Sequence, residues 1–171
     1  MPDESANGPC AAGSATSSGG KVDPKALWAQ IKRFSVDLKG AVYPLSARLS
    51  DEQDWSAEFT TRAIEEYKRF MFLATVAGHA VTPSHVVDEV WHMHLIYTRS
   101  YWEELGDILG RLIHHDPGTG GKGDQSKFQA QYQRTLDSYR KFFGEAPPED
   151  IWGPHNHQFV LPKGRRTITS K

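Results

Sequence analysis

The amino-acid sequence predicts an all-α fold, a small helical bundle of about four main helices. Apolar residues recur at intervals of three and four in several separate stretches, which is typical of helices with one buried face. Capping residues, prolines and glycines stand at the ends of these stretches. No stretch alternates convincingly between polar and apolar residues, as a half-buried strand would, apart from QFVLP at residues 158–162. The 171 residues suffice for one hydrophobic core, so one domain is expected.

The helical domain is expected to occupy residues 23–153, between two unstructured ends. Residues 1–22 are small and polar without an apolar period, so they cannot bury enough surface to offset the entropy lost on ordering. They are predicted to form a disordered leader. Residues 154–171 are mainly polar and basic, and they are predicted to form an irregular tail.

The first helix is predicted to begin at Asp23, a capping residue that is followed by Pro24 in the first helical position. Gly40 is expected to end it. A single apolar stripe runs along this helix and consists of Leu27, Ile31, Phe34 and Leu38. This stripe predicts that one face of the helix packs on the core.

The second helix is predicted to run from Ser50 to Gly78. Ser50 and Gln53 have the spacing of a capping box, and helical periodicity continues to the glycine. The middle of this stretch, YKRFMFLATVAG at residues 67–78, is unusually apolar. A helix that is apolar on most sides is covered by neighbours, so the second helix is expected to form the centre of the bundle.

Two further helices are expected in the second half of the chain. The third is predicted to begin at Thr82 and to run to about Leu105, or to Leu109 with a break near Gly106. The fourth is predicted to begin at residue 124 and to end at Gly144, before two prolines. Between them lies the glycine-containing loop HHDPGTGGKGDQ.

Charge and composition exclude several classes of function. Twenty basic and 21 acidic side chains leave a formal charge of −1, so no nucleic-acid partner and no membrane surface is expected. No run of about 18 apolar residues could cross a bilayer. The only cysteine, Cys10, excludes an internal disulfide, and the N-terminus lacks the pattern of a secretory signal. A cytoplasmic location is therefore expected.

The stretch DEVWHMHLIYTRSY, residues 88–101, carries most of the chemistry in the sequence. On a helix, two residues that are two positions apart diverge by about 200°, so His92 and His94 are not expected to share one ion. His94 falls on the apolar stripe with Trp91 and Tyr101, and it is expected to face the core and to be held there by hydrogen bonds.

The other edge of the third helix gathers His85, Asp88 and His92. Asp88 and His92 are one turn apart, which is the spacing at which side chains meet. A carboxylate and imidazoles are ligands that a divalent metal such as Zn²⁺ or Fe²⁺ accepts, and His114 and His115 in the following loop are candidates to complete the set. The alternative is a plain hydrogen bond between Asp88 and His92 without a metal.

These residues resemble the glycine-rich domain-containing protein-like family, known from plants and bacteria. The resemblance rests on DEVWHMHLIYTRSY, on LGRLIHHDPGTGG and on KFQAQYQRTLDSYRKFFGEAPPEDIW, and it covers about residues 26–153. It implies a helical domain, no established activity, and a set of site positions, namely Asp88, Trp91, His92, His94 and Tyr101. The long glycine-rich tail of the plant pattern is not in this sequence, so roles tied to that tail are not carried over.

Two functions follow as hypotheses. The first is a histidine and aspartate site on the third helix that binds a divalent metal, with loop 113–123 folded over it. Whether it is an enzyme stays open: a metal-activated water or an acid–base pair of His92 and Asp88 would suit catalysis. The second is a non-catalytic interaction module, in which Trp91, Tyr97 and Trp102 form an aromatic surface for a protein partner.

Overall fold

The computed structural model of the chain describes residues 22–115 and 124–153. All regular structure in this part of the chain is helical, which confirms the predicted all-α class. The predicted leader, except for Val22, and the predicted tail lie outside the described residues, as do Cys10 and the QFVLP stretch.

Helix α1 spans Pro24–Arg33 and begins as predicted, because the Asp23 carboxylate accepts a hydrogen bond from the backbone N–H of Lys25. It ends well before Gly40, so the predicted end is wrong. Just after this end, the Ser35 hydroxyl accepts a hydrogen bond from the backbone N–H of Asp37 at 3.2 Å. Such side-chain bonds compete with helical ones.

The predicted second helix is in fact two helices, α2 at Leu45–Gln53 and α3 at Ala57–Val76. Ser50 lies near the end of α2, where its hydroxyl donates to the Trp55 carbonyl at 2.6 Å. Asp54 then adopts a left-handed conformation with φ 54°, and the Ser56 hydroxyl caps α3. The predicted stop is correct, since Gly78 follows α3 with φ 73°.

Helix α3 is the centre of the bundle, as its apolar middle predicts. It contacts α1, α2, α6 and the helix that carries the histidine motif. About three consecutive turns of it contribute apolar side chains to the core, among them Ala63, Tyr67, Phe70, Met71 and Leu73.

The predicted third helix is also interrupted. Helix α4 spans His85–Leu95 and is capped by the Ser84 hydroxyl. A turn at residues 96 and 97 follows, then a π-helical segment at Arg99–Leu105 and the short helix α5 at Gly106–Leu109. A π-helical turn takes one more residue than an α-helical turn, so it changes the direction in which later side chains point.

Helix α6 spans Asp124–Phe143, as predicted, and Gly144 ends it with φ 72°. A short helix that the sequence patterns do not predict, α7 at Glu149–Trp152, packs back on the bundle. The Trp152 indole donates to the Glu66 carboxylate of α3 at 2.8 Å. Burial raises the pKa of Glu66, and the hydrogen bond from Trp152 opposes that rise.

Among the helices within residues 22–115 and 124–153, none combines the length and the apolar character needed to cross a membrane.

Candidate metal centre

Helix α4 brings the first two candidate ligands together. Asp88 faces the protein interior and is only 4 % exposed. His92 follows one turn later, with its Nδ1 3.5 Å from Asp88 Oδ2 and with half of its side chain exposed. A buried carboxylate loses its hydration, so it needs partners that carry hydrogen or positive charge. His92 alone is a weak partner, because 3.5 Å is long for a hydrogen bond.

The second partner of Asp88 is His115, which lies 27 residues further along the chain. Its Nε2 lies 2.9 Å from Asp88 Oδ1. The His115 ring packs against two rings of α4, with centroid distances of 4.5 Å to Trp91 and 4.5 Å to His92. One ligand atom from each of Asp88, His92 and His115 therefore lies within 4.8 Å of the other two. We refer to these three residues as the ligand trio.

Tyr101 holds the backbone that carries His115. The Trp91 indole donates a hydrogen bond to the Tyr101 hydroxyl at 2.8 Å, and that hydroxyl donates to the Ile113 carbonyl at 2.5 Å. Burial raises the pKa of Tyr101, so its hydroxyl keeps the proton that it donates. Ile113 is two residues before His115. We call this chain of two bonds the tyrosine clamp, and it connects α4, the π-helical segment and the loop.

His94 points to the other side of α4. It is fully buried, with Nδ1 2.8 Å from the Tyr67 hydroxyl and Nε2 3.1 Å from the Ser100 hydroxyl. Burial lowers the pKa of His94 to about 4, so the ring is neutral near pH 7. The prediction that His92 and His94 diverge, with His94 hydrogen-bonded in the core, is confirmed.

Two predicted ligands lie elsewhere. The His85 Nδ1 is 3.7 Å from Glu89 Oε1, on an exposed part of α4, and His85 lies outside the ligand trio. The His114 ring packs near Trp102 at a centroid distance of 5.5 Å, although His114 is next to His115. The sequence patterns indicate both histidines of the loop equally, because the one that reaches Asp88 depends on how the folded loop lies against α4.

The burial of Trp91 bears on the hypothesis of an aromatic interaction surface. Trp91 is 6 % exposed, as the helical stripe predicts, and its ring packs on Phe70 and His115. It cannot belong to an exposed surface in this conformation. Tyr97 and Trp102 are half-buried against the core cluster.

The donor set suits a divalent metal. Two imidazole nitrogens and one carboxylate oxygen are common ligands of Zn²⁺ and Fe²⁺, and three protein ligands leave a position open for water or substrate. Bonds of about 2.0–2.2 Å would hold the ligand atoms about 3–4 Å apart. In the structure these atoms lie within 4.8 Å of one another, which is slightly wider. A small rotation of the exposed His92 ring would bring its nitrogen to the distance that a metal requires.

A cleft of about 810 Å³ opens beside the ligand trio, and Asp88, Trp91 and His115 form part of its wall. Arg111 and Lys127 also line it. The sequence patterns do not single out these two cations, because each is an ordinary surface residue until the fold brings the loop after α5 next to the start of α6.

Comparisons with known proteins agree with the predicted resemblance. Glycine-rich domain-containing protein 1 of Arabidopsis thaliana is 24 % identical over 91 residues, which are 50 % of this chain and 11 % of that protein. Glycine-rich domain-containing protein 2 of the same plant is 24 % identical over 93 residues, which are 50 % of this chain and 12 % of that protein. The match thus spans only about a tenth of the length of these relatives. No solved structure matches the chain.

A family model covers more of the chain than either plant protein does. The model described as UCP032817-like matches residues 39–143. That range contains helices α2 to α5, all of α6, and the ligand trio. The chain therefore belongs to the UCP032817-like family.

Proposed function

We propose that this helical domain binds one divalent metal ion through Asp88, His92 and His115, with Zn²⁺ as the first candidate. One observation carries the proposal: two segments that are 27 residues apart place two imidazoles and a buried carboxylate within 4.8 Å of one another. Of the five candidate ligands that the sequence indicates, the proposed site keeps these three and leaves out His85 and His114.

The burial of Asp88 favours a metal over a plain hydrogen-bonded cluster. Among the described residues, one carboxylate oxygen has a good partner in His115 at 2.9 Å, whereas the other has only His92 at 3.5 Å. A cation between the carboxylate and both rings would compensate the buried charge better than this arrangement does. A metal bound by three protein ligands would supply an open coordination position, where it lowers the pKa of a bound water.

The test is metal content and affinity in protein purified without a histidine tag. Wild-type protein is expected to bind one Zn²⁺ per chain, as measured by mass spectrometry and by isothermal titration calorimetry. Asp88→Ala, His92→Ala and His115→Ala should each weaken binding at least about tenfold, because loss of one ligand leaves only two.

His85→Ala is the matched control. His85 is an exposed histidine on the same helix, and like His92 it lies near an acid one turn away, but it is outside the ligand trio. Its replacement should leave the affinity unchanged. Equal losses in His85→Ala and His92→Ala, or a wild-type protein without stoichiometric metal, would contradict the proposal.

A cytoplasmic location is part of the proposal. It is supported by the single cysteine, which leaves the chain without an internal disulfide. Fractionation of cells that express the full-length protein would test it.

A further inference from the structure

We infer that the cleft beside the ligand trio binds a small organic oxyanion, a carboxylate or a phosphate monoester. The inference deepens the proposed metal site and rests on it for the ion that an oxygen of the ligand would approach. The charge of the cleft wall and its volume are separate observations, and they can be tested with and without metal.

The size and lining of the cleft suit a small molecule. Its volume of about 810 Å³ lies in the usual range for small-molecule sites, about 300–1,000 Å³. Phe70 and Trp91 contribute apolar wall, and Thr75 and Thr82 contribute hydroxyl-bearing side chains. Such a wall can accept the carbon skeleton of an organic ligand as well as its polar groups.

The positive charge of the cleft wall favours a negatively charged ligand. Arg111 and Lys127 line the cleft, and neither forms an ion pair with an acidic side chain of the described residues. Among the lining residues that the structure describes, Asp88 is the only acidic one, and its carboxylate is engaged by the two histidines of the ligand trio. The whole chain has a formal charge of −1, so the positive charge here is local.

The histidines of the cleft wall are also compatible with a negatively charged ligand. His79, His114 and His115 line the cleft, and none of the three carries negative charge in any protonation state. Asp88 and His115 belong both to the cleft wall and to the ligand trio, so a metal held there adds positive charge at the wall. An arginine, a lysine and a metal ion are the groups that proteins use to hold carboxylates and phosphates.

The experiment measures the binding of two probes, succinate and glycerol 2-phosphate, by isothermal titration calorimetry. Zinc-loaded protein and chelator-treated protein are titrated separately. We expect at least one probe to bind the zinc-loaded form more tightly than the metal-free form, and the stronger of the two identifies the class as carboxylate or phosphate.

Variants that remove positive charge from the cleft wall test whether the probes bind in the cleft. Arg111→Gln combined with Lys127→Gln should weaken probe binding at least about tenfold, the scale of losing one or two charged hydrogen bonds. Zinc affinity of this double variant should stay at the wild-type value, because neither residue belongs to the ligand trio. Arg134→Gln is the matched control: it removes an exposed cation from the same helix as Lys127 but outside the cleft, and it should change nothing.

The outcomes separate the two proposals. If zinc does not bind but a probe still binds metal-free protein in a manner that depends on Arg111 and Lys127, the metal site fails and the anion site stands. If zinc binds but neither probe binds, or if both bind equally well to the double variant, the inference is overturned and the metal site stands.

Discussion

Two histidines two positions apart have opposite surroundings in this protein. His92 is half-exposed beside a buried carboxylate, whereas His94 is fully buried between two hydroxyl groups. This difference follows from helical geometry, so it could be predicted from the sequence. The hydroxyl partners Tyr67 and Ser100 could not be, because one is on another helix and the other lies beyond the break after α4.

Replacement of each histidine by alanine should separate a structural role from a site role. His94→Ala is expected to lower the free energy of unfolding by about 2–4 kcal/mol, because it opens a cavity and strands two hydroxyls. His92→Ala should cost less than about 1 kcal/mol, as is usual for an exposed position. Urea denaturation in the presence of a chelator measures both. A larger loss for His92→Ala than for His94→Ala would contradict the assignment.

The buried imidazole also predicts a dependence of stability on pH. The pKa of His94 is lowered to about 4 from an ordinary value of 6.5. The unfolded chain therefore binds a proton near pH 6.5 that the folded chain does not bind until about pH 4. The stabilisation by neutral His94 is present above pH 6.5 and is lost as the pH falls toward 4.

The loss from this residue is about 1.4 kcal/mol per pH unit, and about 3 kcal/mol in all. Denaturation of metal-free protein at several pH values between 4 and 7 would show it. His94→Gln replaces the ring with an amide that does not titrate. The free energy of unfolding of this variant should therefore fall less steeply with decreasing pH than that of the wild type. The same slope in both proteins would mean that other groups cause the acid sensitivity.

At the scale of elements, capping signals predict some helix ends and not others: Gly40 does not end α1, and Ser50 lies near the end of α2 instead of at the start of a helix. Asp23, Gly78 and Gly144 have the predicted roles at helix ends. The breaks between α2 and α3 and after α4 escape prediction, because apolar periodicity continues across both. Side-chain hydrogen bonds span both breaks: the Ser50 hydroxyl donates to the Trp55 carbonyl, and the Trp91 indole donates to the Tyr101 hydroxyl.

The tyrosine clamp predicts that Tyr101 controls metal affinity although it is not one of the proposed metal ligands. Tyr101→Phe keeps the ring but removes the hydroxyl, so the Trp91 indole and the Ile113 carbonyl both lose a partner. We expect zinc affinity to fall about 10- to 100-fold, the usual scale for a residue that orients a ligand. Calorimetric titration would measure it, with helical content followed by circular dichroism.

Tyr97→Phe is the control for the clamp. Tyr97 precedes the same π-helical segment, and no hydrogen bond of its hydroxyl is formed within the described residues. The substitution should leave zinc affinity unchanged. If both variants bind zinc as the wild type does, His115 is positioned by its ring contacts alone.

At the scale of the whole molecule, α7 closes the bundle through a buried acid. The Glu66 carboxylate accepts hydrogen bonds from the Trp152 indole at 2.8 Å and from the Tyr139 hydroxyl at 3.2 Å, so it joins α3, α6 and α7. Sequence patterns predict no helix at Trp152, because four helical residues after two prolines carry almost no periodic signal. The pairing with Glu66 depends on residues 86 positions apart.

Trp152→Phe should therefore destabilise the fold through the lost hydrogen bond as well as through lost contact area. We expect the free energy of unfolding, measured by thermal or urea denaturation, to fall by about 2–4 kcal/mol. The reason is that the buried Glu66 carboxylate would lose one hydrogen-bond donor. Trp28→Phe is the matched substitution, because Trp28 packs against Phe72 and Phe143 but its indole makes no hydrogen bond within the described residues. It should cost distinctly less.

The 27-residue separation between Asp88 and His115 has a consequence for folding. In the unfolded chain these two side chains are far apart on average, and closing such a loop costs entropy. A metal ion held by the proposed ligand trio would therefore bind the folded chain far better than the unfolded one, and each bound ion would shift the folding equilibrium. At a free-ion concentration 100 times the dissociation constant, that linkage amounts to about 2.7 kcal/mol. The supply of metal in the surroundings would then set how much of this protein survives unfolding and proteolysis.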